Sequence, residues 1–87
     1  MTFDDRFFSR EHRYSLGADT HSERFYASIP VTLGAVDYVE YYELTAERFE
    51  ELIAEPTAAV EFVEACRRRE CDHLLMHEPP RRRGTPI

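Results

Sequence analysis

The run Val36-Asp37-Tyr38-Val39-Glu40-Tyr41-Tyr42-Glu43-Leu44 constrains this chain more than any other stretch. It is dense in β-branched and aromatic residues, alternates roughly in polarity, and gives way after Thr45 to apolar residues at helical spacing. That combination predicts a strand feeding a helix. A competing reading puts Tyr38, Tyr42, Thr45, Ala46, Phe49, Leu52 and Ile53 on one face of a single helix over 37–55. Strand then helix is preferred, because Thr45 is a good N-cap and Leu44 and Phe49 occupy the two positions of a hydrophobic staple.

Upstream, His12 to Ala18 alternates as a strand, with Tyr14, Leu16 and Ala18 on one face. Asp19-Thr20-His21-Ser22 has turn composition, and Glu23 to Thr32 reads as the return strand, with Phe25, Ala27, Ile29 and Val31 on one face. Pro30 lacks a ladder donor and pushes that strand end toward an edge or a bulge. Leu33-Gly34-Ala35 then turns the chain into the central run. Before these strands, Phe3 and Phe7 lie four apart, which suits a short N-terminal helix or a docking arm.

Downstream, a first helix is expected over about Ala46 to Ala54, burying Phe49, Leu52 and Ile53 while Glu47, Glu50 and Glu51 face water. Pro56 punctuates the pattern and opens a second helix to about Arg69, with Ala59, Phe62, Val63 and Cys66 inward and Arg67, Arg68 and Arg69 at the end where the dipole favours cations. Asp72 to His77 reads as a last strand or extended packing segment. The fold class is therefore α+β: a three-stranded antiparallel meander, two α-helices packed on one face, and a short C-terminal extended segment. Residues 1–78 form the single domain, and 79–87, with three prolines and Arg81-Arg82-Arg83, are expected to be a disordered tail.

A chain of 87 residues buries only about 60 to 70% of its unfolded surface, so its core is small and a partner surface would help it. No apolar run approaches a membrane span, and Met1 to Arg10 lacks a signal-peptide layout, which points to the cytoplasm and away from membranes. Net charge is −6, unevenly spread: residues 36–65 carry −8, whereas 66–87 carry +3. The acidic excess argues against nucleic acid as a partner despite two arginine triplets, leaving a nucleic-acid accessory role as a minor reading.

The constellations that bear chemistry are thin. Cys66, Cys71, His73 and His77 lie within twelve residues, but C-x4-C-x-H-x3-H lacks the tight knuckle of a zinc site, and ordinary thiols and surface histidines are preferred. Five residues apart on one helix, Cys66 and Cys71 would point apart, against a disulfide. A cysteine nucleophile with either histidine as base has no orienting third group, no Gly-x-Ser-x-Gly occurs, and the three glycines are too scattered to cradle phosphate. No enzyme and no cofactor is expected.

What remains is surface. Tyr38, Glu40, Tyr41 and Tyr42 are the candidate protein-binding residues. If Val36, Tyr38, Tyr42 and Leu44 face the helices, Glu40 lies among them and needs a partner; if the other face packs inward, Tyr38, Glu40 and Tyr42 form an exposed strip. Either way two helices shelter one side of the sheet, and aromatics on the other suit an interface. The expectation is a small noncatalytic protein-binding domain, pairing with itself through its sheet face. The alternative is an acidic inhibitor or immunity-type protein that docks on a basic partner through Glu47, Glu50 and Glu51.

Overall fold

The structure is a computed structural model that describes residues 3–77 and 83–87. Its elements are β1 (Phe3–Ser9), β2 (Tyr14–Asp19), β3 (Arg24–Leu33), β4 (Val36–Leu44), α1 (Ala46–Ala54), α2 (Pro56–Arg67), a 3₁₀ turn (Asp72–Leu74) and β5 (Thr85–Pro86). The class is α+β. An antiparallel sheet in the order β1-β2-β3-β4 is followed by two helices, and β5 pairs with the C-terminal end of β3, past the end of β2. No helix among the described residues is long and apolar enough to cross a membrane.

The central run forms β4, and helical geometry begins only at Ala46, so the single helix over 37–55 does not form. Thr45 caps α1, its hydroxyl accepting from the Arg48 N–H at 3.1 Å. The strand faces follow their alternation. Tyr14 and Leu16 of β2, Ala27, Ile29 and Val31 of β3, and Tyr42 and Leu44 of β4 are buried against Phe49, Leu52, Ala59, Phe62, Val63 and Cys66 of the helices. Ile53, expected in this core, is exposed: one residue past Leu52, it stands at the margin of the apolar stripe of α1. Gly34 has φ 63 at the first position of the two-residue loop between β3 and β4, a conformation glycine adopts without steric cost.

The N-terminal segment is a fourth strand, not a helix or an arm. Its ladder to β2 shifts between Asp5 and Phe7, a bulge that leaves Arg6 out of register. The bulge puts Phe3, Asp5 and Phe8 on one face and Phe7 on the other, and so scrambles the period-2 signal. Pro30 is tolerated inside β3 because β2 has ended at that level, and only the Pro30 carbonyl is used there, accepting from the Ile87 N–H at 3.2 Å.

Beyond α2, Arg69 takes φ 63 and reverses the chain. Cys71 therefore leaves the helical path and turns back, so that its thiol lies within hydrogen-bonding reach of Cys66; both are buried free thiols. The expected strand over Asp72 to His77 is a 3₁₀ turn followed by one bridge, Leu75 to Tyr42, with the Met76 N–H donating to the Tyr41 carbonyl at 2.9 Å. Of the expected disordered tail, 79–82 lie outside the described residues, whereas residues 83–87 lie along β3 with Val31 opposite Pro86 and Thr32 opposite Thr85.

That terminal segment is held by charge. Arg83 donates to both Glu40 oxygens, at 2.7 and 3.0 Å, and to both Asp72 oxygens, at 2.7 and 3.0 Å. The Tyr42 hydroxyl also donates to Glu40, at 2.8 Å. Arg69 donates to the Gly84 carbonyl at 2.7 Å, and the Gly84 N–H donates to the Tyr38 hydroxyl at 2.9 Å. The basic end of the chain thus neutralises part of the acidic middle.

Candidate binding groove

The candidate interface residues fall on both sides of the sheet. Glu40 and Tyr42 face the helices and are buried, and Tyr38 is half-buried beneath Gly84, so these three do not form an exposed strip. The first of the two face assignments holds: Glu40 lies in the interior and is paired, by Arg83 and Tyr42. Burial, then the Glu40 hydrogen bond, pushes the Tyr42 phenol far above its ordinary range. Tyr41 alone of the four is on the helix-free face.

That face is curled. The Phe3 ring, on the first strand, stacks on Tyr41, on the fourth, with centroids 3.7 Å apart and planes 9° apart. A flat four-stranded sheet would hold those residues three strand spacings apart. Tyr26 fills the bend between them, edge-on to both rings. The Tyr26 ring lies directly over Gly17, where a Cβ would come within 2.6 Å of the Tyr26 hydroxyl and 2.2 Å of the Asp4 carbonyl. The Tyr26 hydroxyl donates to Asp5, and burial followed by that bond raises its pKa out of the working range. His77 stands edge-on to Phe3 and Tyr41 and closes this end further.

Next to the sealed end the face stays open. Phe8 pairs with Ser15, Ser15 with Ser28 and Ser28 with Tyr41, so one row across four strands reads aromatic, hydroxyl, hydroxyl, aromatic. Small residues in the middle and rings at the ends make a concavity of about 510 Å³, with Pro30 and Val39 continuing the apolar wall. Ser15 and Ser28 are 8% and 5% exposed. Neither hydroxyl has a hydrogen-bond partner among the described residues, and neither is sealed from the groove that both line.

Arg10 and Arg13 stand at the β1–β2 turn end of the groove, and among the described residues neither guanidinium is ion-paired. Arg13 has φ 52, an uncommon conformation for a side chain of its size. The Arg67 guanidinium fixes the turn by donating to the His12 and Arg13 carbonyls at 2.6 and 2.7 Å. Asp5 lies at the opposite end, engaged by Tyr26. Burial, then the Asp5 charge, raises the Tyr41 pKa, so its hydroxyl keeps its proton near neutrality.

Sequence reasoning missed Ser15, Ser28, Phe8, Arg10 and Arg13. The available signal was two serines at outward positions of adjacent strands, too small to fill a sheet face. The four candidate metal ligands do not converge. Cys66 is in the core and His77 lies against Phe3 and Tyr41, and among the described residues no three potential ligands are grouped. Burial, followed by the neighbouring Cys71, pushes the Cys66 thiol far up, so it is a poor nucleophile at neutral pH. Comparison with family models, with curated proteins and with solved structures returned no match.

Proposed function

We propose that the chain is a noncatalytic cytosolic protein-binding module that pairs with a second copy through the outer edge of β4. The observation that carries this reading is the open half of that edge. The Tyr41 carbonyl points outward to Met76, and by strand alternation the N–H and C=O groups of Val39 and Asp37 point outward as well. Met76 covers the edge at Tyr41, while Val36 to Val39 has no described strand beside it. Val36 and Val39 are 63% and 44% exposed there.

The two sheet edges differ. The β1 edge carries a bulge and the charges of Asp4 and Arg6, devices that discourage strand addition. The first half of β4 has only Asp37. An antiparallel two-fold centred on Tyr38 sets Asp37 of one copy opposite Val39 of the other, so the like charges do not meet. Strand pairing of this kind draws its affinity from main-chain hydrogen bonds.

The test is light scattering on eluting fractions at high micromolar concentration, for wild type and Asp37→Pro. Proline at that position removes an outward N–H while sparing the β3 ladder. Wild type should elute as a dimer, and D37P as a monomer with unaltered far-ultraviolet dichroism. Val36→Lys, which leaves the backbone intact, should also weaken the dimer. A monomeric wild type would overturn the reading.

A further inference from the structure

We propose that the groove on the helix-free face binds a small aromatic carboxylate. The groove lies within the size range of small-molecule sites, and its lining divides by chemistry along its length. At one end are the two unpaired guanidiniums of Arg10 and Arg13; at the other is Asp5, already occupied by the Tyr26 hydroxyl. An anionic ligand is therefore polarised, its carboxylate at the β1–β2 turn and its body directed toward Tyr41. Arginine is suited to that end because its planar fork matches a carboxylate.

The body of the ligand is set by the cross-strand row. Phe8 and Tyr41 stand at the two sides with only serine between them, so a flat ring finds an aromatic wall on either flank and no side chain in the way. Pro30 and Val39 extend the apolar contact. Beneath the ring lie Ser15 and Ser28, residues more than nine-tenths buried whose hydroxyls open into the groove and have no partner among the described residues. A ligand that covers these hydroxyls takes them out of water, and a polar substituent on its ring restores the hydrogen bonding that is lost. The site has a charged end, an apolar waist and a hydrogen-bonding floor, and a hydroxylated aromatic acid uses all three.

This proposal rests on the lining of the groove, independently of pairing through β4. It is tested by ¹H–¹⁵N NMR titration of the full chain with 4-hydroxybenzoate, benzoate and the neutral benzamide. Saturable shifts are expected at the amides around Ser15, Ser28 and Tyr41, in D37P as in wild type. Benzamide should bind about tenfold more weakly than benzoate, the scale of a charge-assisted contact. Arg10→Gln with Arg13→Asn, both at exposed positions and with asparagine tolerant of the left-handed backbone, should weaken both acids by about tenfold. Ser28→Ala should weaken 4-hydroxybenzoate several-fold and leave benzoate nearly unchanged. Absence of saturation in the millimolar range, equal affinity for benzamide, or shifts confined to another surface would each overturn the proposal.

Discussion

Replacing Arg83 with methionine isolates the buried ion pair, because methionine keeps an apolar stem of similar length and removes the charge. Glu40 is 5% exposed and loses two hydrogen bonds, at 2.7 and 3.0 Å, retaining the one from Tyr42. Removing one member of a buried pair costs about 3 to 5 kcal/mol, since the other charge is left in a poorly solvated site. The Arg83 side chain is 13% exposed, so some water reaches the vacated position and the lower end, about 3 kcal/mol, is expected. Asp72, 44% exposed, adds little. A domain of this size has about 4 to 13 kcal/mol in total, so R83M should give up a large share of it. With a urea slope of about 1 kcal/mol per molar, the midpoint should fall by about 3 M. The double variant E40Q/R83M should recover most of that loss, because glutamine removes the stranded charge while its carbonyl still accepts from the Tyr42 hydroxyl. A cost below about 1 kcal/mol for R83M, or a double variant as unstable as the single one, would refute the stranding of a buried charge.

Two further outcomes follow from the geometry. Gly17→Ala places a Cβ 2.2 Å from the Asp4 carbonyl and must displace β1 or the Tyr26 ring, at about 1 to 3 kcal/mol, visible as a lower thermal midpoint and a weaker tyrosine dichroism signal. An unchanged melt would show that β1 yields freely. Asp72 is held below its ordinary 3.8, first by the Arg83 hydrogen bond, and a depressed carboxylate contributes stability above its unfolded pKa that is lost as pH falls through the folded one. Melting of Asp72→Asn should therefore lie below wild type at neutral pH and converge with it below about pH 4; parallel curves would remove Asp72 from the linkage.

The parts of the fold legible in the sequence are those written by local rules. Thr45, Pro56 and the alternations of β2, β3 and β4 each report their own neighbourhood, and the elements they mark begin and end close to the expected places. The misread parts depend on distant residues. A bulge at Arg6 hid β1 by breaking its period. Residues 83–87 look like a solvated tail by composition, and are ordered only because Glu40, Asp72 and Tyr38 wait 11 to 46 residues upstream with matching groups. Strand alternation says that Glu40 needs a partner if it faces inward, yet nothing local says that Arg83 supplies it. The groove was hidden for a similar reason. Ser15 and Ser28 gain meaning only once the register sets them side by side between Phe8 and Tyr41.

The clasp on Arg83 also turns the chain into its own gauge of breathing. Trypsin cuts after arginine, and the Arg83–Gly84 bond is one of its sites. Here the arginine is gripped by two carboxylates and Gly84 is packed against Thr32, so the protease must wait for that corner to lift away. When lifting and reseating are fast relative to cutting, the nicking rate at this bond reads the free energy of that local excursion directly.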